Sequence, residues 1–198
     1  MIKVEVFHNS ILKSCSYCIY DDTSLEGYII DVGDVEPIVS FITERKIYIK
    51  CVFLTHPHFD HVYGITDFLK KYPLTCFYCS AETLEGLRDE DVNMSYMYLE
   101  DEFQIPRDKH FVIIDYHAPV ECFGKPIRII PCPGHDSGCL SFIIGSNIFT
   151  GDSYTPFAPV TYNWHRCNKQ QALESEAYIR KIIESKGLNV YPGHYQEK

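Results

Sequence analysis

Apolar runs of strand length alternate with polar, glycine-bearing turns along most of this chain. Three runs, at about 2–7, 14–20 and 27–31, are rich in Val, Ile, Tyr and Cys and predict strands. Asp34 then stands where a helix N-cap belongs, with Pro37 tolerable in the first turn, so a short helix is expected to about Arg45. The run Ile47-Tyr48-Ile49-Lys50-Cys51-Val52-Phe53-Leu54 reads as a buried strand. Beyond it the period changes. Val62, Ile65, Leu69 and Tyr72 recur at helical spacing, which puts Asp60 and His61 near a helix start. A strand at about 74–79 and a short helix from Ala81 follow. Residues 88–108 are acidic around Tyr96, Met97 and Tyr98, and read either as a solvated loop with a short helix or as a lid over a cleft. Strands are expected again at about 111–115, 126–131, 139–144 and 147–150. Asn168 with Gln171 reads as a capping box for a helix to about Ser185, which Gly187 stops. Two strand-rich halves predict two mixed sheets with helices outside, and one domain over residues 1–198 is the default for this length.

The candidate chemistry sits where strands end. The segment THPHFDHVYG, 55–64, crowds His56, His58, Asp60 and His61 behind the buried strand, and Pro57 keeps His56 out of helical geometry. Pro133-Gly134-His135, Thr150-Gly151-Asp152-Ser153 and Tyr191-Pro192-Gly193-His194 each close another apolar run with a glycine turn and a ligand-type side chain. Imidazole with carboxylate suits borderline divalent ions, zinc first and iron or manganese next.

Composition narrows the function classes. Hydrophobic residues make up 45% of the chain, enough for a sizeable core. The net charge of −9, without a basic stripe, argues against a nucleic-acid partner. No apolar run is long enough for a membrane span or a signal peptide, so a cytoplasmic location is expected. The nine cysteines include Cys15/Cys18 and Cys76/Cys79, both in expected strands. Residues three apart on a strand face opposite ways, so neither pair is expected to clasp a metal or close a disulfide.

The set His56-x-His58-x-Asp60-His61, His135, Asp152 and His194 resembles the metallo-β-lactamase superfamily of metallohydrolases. Gly27-Tyr28-Ile29-Ile30-Asp31-Val32-Gly33-Asp34 is similar to the strand of that family that ends in Asp-x-Gly below the metal site. The resemblance runs from about residue 14 to residue 194 and implies an α/β (α+β) fold, a four-layer αββα sandwich of two mixed sheets flanked by helices. Within the superfamily the pattern is most similar to glyoxalase II-like small hydrolases, with Asn93-Met94-Ser95 as a weaker match. The chain ends four residues after His194, where glyoxalase II continues into a helical glutathione-holding domain, and has Tyr195 where that family usually has Gly. A small substrate rather than a glutathione thioester is therefore expected.

The resemblance also implies roles. His56, His58 and His135 would hold one metal, Asp60, His61 and His194 a second, and Asp152 would bridge them. Two zinc ions, or alternatively iron or manganese, would share a hydroxide that attacks an ester, thioester or lactam-type carbonyl. Asp60 is the candidate proton acceptor, and Asp31 would orient a ligating histidine through a hydrogen bond. Tyr154, His165, Arg166 and Tyr195 are candidate substrate contacts, with Arg166 expected to meet a substrate carboxylate. His8, His110 and His117 lie outside the motifs and read as structural or surface residues. Two other readings stand beside the hydrolase. One is a mononuclear iron oxidoreductase resembling persulfide dioxygenase, with His56, His135 and Asp152 as ligands. The other is a metal-binding protein without catalytic activity. The expected partner is a small molecule, and the sequence gives no oligomeric state.

Overall fold

The computed structural model describes residues 1–99, 103, 105 and 108–196. Strands β1 (Ile2–His8), β2 (Cys15–Asp21) and β3 (Glu26–Ile30) form an antiparallel meander. Helix α1 (Val35–Glu44) crosses to β4 (Tyr48–Phe53), which lies parallel to β3. Two short helices, α2 (Phe59–Val62) and α3 (Ile65–Lys71), lead to β5 (Phe77–Cys79). Helices α4 (Ala81–Gly86) and α5 (Glu90–Asn93) lead on to β6 (Phe111–Ile113), which closes a six-stranded sheet in sequential order. A small hairpin, β7 (Glu121–Cys122) and β8 (Lys125–Pro126), precedes the second sheet. That sheet contains β9 (Arg128–Pro131), β10 (Leu140–Ile144), β11 (Asn147–Gly151) and, after α6 (Lys169–Lys186), β12 (Asn189–Pro192), in the order β12-β11-β10-β9.

The period-two alternation of the strands sorts the core into three sheets of side chains. Along β2, Cys15, Tyr17 and Ile19 join one cluster while Cys18 and Tyr20 join another. Tyr28, Ile30, Phe53, Phe142 and Phe149 fill the space between the two sheets. Ile29, Val52 and Leu54 point the other way, onto Ile38 and Ile42 of α1 and Ile65 and Phe68 of α3. Ile130, Ile143 and Ile148 leave the second sheet on its far side and meet Ile179 and Ile182 of α6. Both sheets are thus buried on both faces, and the result is an αββα sandwich. The same alternation separates Cys15 from Cys18, and all nine cysteines are free. Burial pushes the Cys18 thiol up to about 12, the behaviour of a small core hydrophobe.

Several elements depart from their sequence expectations for local reasons. The strand expected at 74–79 is shortened to Phe77–Cys79, because the chain turns at Pro73 and leaves Leu74 in solvent. The single helix suggested by Val62, Ile65, Leu69 and Tyr72 is broken at Gly64, whose N–H bonds the Val32 carbonyl at 3.0 Å. A Cβ on Gly64 would stand 2.1 Å from the Gly33 carbonyl oxygen, so the break is where helix and strand end meet backbone to backbone. Asp34 occupies the N-cap position of α1 without capping it. Its carboxylate accepts instead from the Ser10 N–H and hydroxyl and from the Tyr63 hydroxyl. The capping box at α6 is one-sided. Asn168 accepts from the Gln171 N–H, but its own N–H goes to the Gly134 carbonyl, near His135. The run expected at 126–131 is divided between β8 and β9, which belong to different sheets. In the 88–108 segment, α5 and a 3-10 turn at Ser95–Met97 are described, while residues 100–102, 104, 106 and 107 lie outside the described residues.

Candidate metal centre

Topology brings the candidate ligands to one rim. β9 and β11 are each antiparallel to β10, and β12 is parallel to β11, so β9, β11 and β12 end at the same edge. His135, Asp152 and His194 follow those three ends, and His56 to His61 follow the end of β4 in the other sheet. The two rims are stitched together. The Leu140 N–H bonds the Thr55 carbonyl at 2.8 Å, the Cys15 N–H bonds the Gly193 carbonyl at 2.7 Å, and Ser14 bridges His194. Gly193 has to be glycine for contact with the centre itself, since a Cβ there would stand 2.0 Å from Asp152 Oδ1.

Hydrogen bonds behind the cluster fix which ring nitrogen each histidine presents. His61 Nδ1 donates to Asp31 Oδ2 at 3.0 Å, His135 Nδ1 to the Thr161 carbonyl at 2.9 Å, and His194 Nδ1 to the Leu12 carbonyl at 2.9 Å. The Thr55 hydroxyl gives its only proton to Asp31 Oδ2 at 2.7 Å, so it accepts from His56 Nδ1 at 2.9 Å. All four rings are therefore left with Nε2 facing inward. His58 differs: its Nδ1 points into the cluster, 3.0 Å from His135 Nε2. Ligand atoms of His56, His58 and His135 all lie within 4.8 Å of one another, and so do those of Asp60, His61 and His194. Asp152 stands between the two triads, with Oδ2 3.4 Å from His135 Nε2 and 3.1 Å from His194 Nε2, and Oδ1 3.4 Å from His61 Nε2.

The cluster fits divalent cations. His56 Nε2, Asp60 Oδ2 and Asp152 Oδ1 are buried with no hydrogen-bond partner, a state costly for polar groups unless something charged sits among them. Burial opposes charge on His61 and His194. Asp60 and Asp152 override it for His61, and Asp152 leads in overriding it for His194, so both rings are held above the ordinary imidazole range. Burial, with the neighbouring imidazoles, pushes His56 and His58 well below that range. Burial and the Asp152 charge raise Asp60. Without a cation, then, this acidic pair draws protons onto His61 and His194, and a metal would displace those protons.

Residues 28–194 match the family model described as Metallo-beta-lactamase superfamily. The chain belongs to the metallo-beta-lactamase superfamily. A hydroxyacylglutathione hydrolase from Halorhodospira halophila is 23% identical over 133 residues, 67% of this chain but 44% of that protein, so the chain spans less than half of the relative's length. Among solved structures, the BLEG-1 B3 metallo-beta-lactamase superposes with a TM-score of 0.81 at 18% identity, covering 98% of this chain and 92% of that one. A di-iron-bound form of TTHA1623 superposes with a TM-score of 0.75 at 19% identity, covering 97% of this chain and 92% of that one. At these identities the likeness is one of fold. Among the described residues, no helix is long and apolar enough to cross a membrane.

In this superfamily member Asp31 serves both halves of the cluster. It is buried in a left-handed backbone conformation, φ 54°, and accepts from the Thr55 N–H and hydroxyl and from His61 Nδ1. It touches His61 directly and His56 through Thr55. Its three hydrogen bonds leave it facing donors rather than a metal, although its oxygen lies near His56 and His61. An Asp31→Asn variant keeps the shape but turns an NH2 group against one of these donors. Affinity for metal is expected to fall roughly 10–100-fold, measured by competition with a chromophoric chelator. Unchanged affinity for every bound ion would remove Asp31 from the support of the centre.

The candidate substrate contacts are dispersed. Arg166 is already committed: Nε and Nη2 bind the two oxygens of buried Asp136 at 3.0 and 2.7 Å, and Nη2 also bonds the Glu82 carbonyl. Its guanidinium is paired there with the Asp136 carboxylate. Tyr154 is buried against α6, with Arg180 over its ring, and faces the far side of the second sheet. Tyr195 stacks on His8 at 3.9 Å between centroids. His165 is exposed in the loop beyond Thr161. Sequence reasoning passed over Thr55, Thr161 and the Leu12 carbonyl. Thr55 adjoins the motif and was open to inference. The Leu12 contact, across 182 residues, leaves no sequence signal. Tyr98, from the segment read as a loop or a lid, packs beside the ligand helix. Its ring stacks on Phe59 at 5.4 Å, and burial, with the Asp60 charge, raises its phenol.

Proposed function

We propose that this chain is a metal-dependent hydrolase with two metal ions in one centre, acting on a small ester, thioester or lactam-type substrate. The observation that carries the reading is the convergence of two separate triads of ligand atoms on either side of Asp152. His56, His58 and His135 would hold one ion, Asp60, His61 and His194 the other, and Asp152 would be shared between them. Ions bound there supply a polarised carbonyl and a water acidic enough to be a nucleophile near neutral pH. The chain's own residues do the rest. Asp31, Thr55, Thr161 and the Leu12 carbonyl hold the imidazoles by their outer nitrogens, so little reorganisation is needed when charge develops. Asp60 would take the water's proton on the carboxylate oxygen that it does not give to an ion. The hydroxyacylglutathione hydrolase relative favours acyl transfer to water, and zinc suits the ligand set, with manganese and iron as alternatives. The di-iron form of the fold neighbour keeps iron in view.

Elemental analysis of the purified protein, followed by assays of thioesters, lactones and β-lactams before and after chelation, tests this reading. Two equivalents of metal and chelator-sensitive hydrolysis of at least one class are expected. One equivalent of iron without hydrolysis would transfer the centre to an oxidoreductase of the kind that uses His56, His135 and Asp152.

A further inference from the structure

Beside Asp152 and His194 lies a recess of about 200 Å³, walled by Thr155, Phe157, Ala158, Pro159 and Thr161. Two threonine hydroxyls are the polar breaks in its apolar wall. The Thr155 hydroxyl accepts from the Phe157 N–H at 3.4 Å, and the Thr161 hydroxyl and carbonyl both meet His135 Nδ1. Apart from Asp152 and His194, no lining residue carries a charge. Pro156 and Pro159 limit the backbone freedom of the wall, and buried Val160 anchors it. The wall is thus preformed and hydrocarbon-faced, and it leaves Phe157 40% exposed at the mouth. An ionised arm entering it would lose water against a largely apolar wall that offers no cation outside the metal centre.

We infer that this recess takes a neutral hydrocarbon arm of the substrate, of about four to six carbons, next to the reacting carbonyl. The size follows from the volume, since a dry cavity of about 150 Å³ is enough for benzene. The inference rests on the hydrolase reading for the carbonyl and on the recess alone for the arm. It narrows the substrate to esters or thioesters with one short alkyl or phenyl-sized uncharged side.

The test uses methyl ketones, which resemble the ester but cannot be hydrolysed, with arms from methyl to hexyl and one arm ending in a carboxylate. Binding to the metal-loaded protein is followed by the NMR signal of a ¹³C-labelled Ala158 methyl. Affinity is expected to rise about two- to fourfold per methylene until the recess is full, and the carboxylate arm is expected to bind at least tenfold more weakly. Ala158→Leu, a change at an exposed loop position, should abolish the gain with chain length in the folded protein. A flat chain-length series, equal binding of the charged arm, or an unmoved Ala158 signal overturns the inference. Absence of ester hydrolysis with the gradient intact would sink the hydrolase reading and leave the recess standing. Hydrolysis with no gradient would do the reverse.

Discussion

An Asp152→Ala variant is expected to lose metal and turnover together. Asp152 faces both triads, with Oδ2 3.4 Å from His135 and 3.1 Å from His194. The imidazoles of His194 and His61 hold its carboxyl well below the ordinary range against the opposing effect of burial. Removing it leaves inward-facing nitrogens with one carboxylate instead of two. The loss in metal affinity should exceed the roughly 10–100-fold typical of an outer hydrogen-bond partner. Elemental analysis, with circular dichroism to confirm the fold, reads the result. Retention of both ions at wild-type affinity would show that Asp152 does not bridge them.

Asp60→Asn separates a ligand from a proton acceptor. The amide keeps an oxygen toward His61 and His194, both 3.4 Å from Asp60 Oδ2, but it cannot accept the water's proton. At saturating metal, kcat is expected to fall on the order of 10²–10⁴-fold with KM little changed. The fold should hold, because the Asp60 backbone carbonyl still accepts from the Ser14 hydroxyl. Full recovery of turnover on adding metal would leave Asp60 as a ligand alone. A rise confined to KM would place it in substrate binding instead.

Two mixed sheets with helices outside were legible from the apolar runs, and the family resemblance made them an αββα sandwich. Cys15, Tyr17 and Ile19 against Cys18 and Tyr20 state in sequence the two clusters they enter. The ligand segments were legible for the same reason: a strand that ends in a glycine turn delivers its next polar side chain to the rim. What failed in the sequence were features set by long-range backbone contact. The helix break at Gly64 comes from the close approach of Gly33, and the free carboxylate of Asp34 from Ser10 and Tyr63.

The candidate ligands and their family pattern were therefore read from the sequence alone, as was the order of strands along the chain. The tertiary structure decided what each ligand is worth. Which nitrogen a ring presents depends on Asp31, Thr161 and the Leu12 carbonyl, and the last of these reaches His194 only when the two sheets close on each other. The pairing of Arg166 with Asp136 across 30 residues, and the apolar recess formed where the 155–161 loop lies beside His194, also belong to the tertiary structure. Periodicity records which face a residue buries. It carries no record of the distant partner waiting on that face.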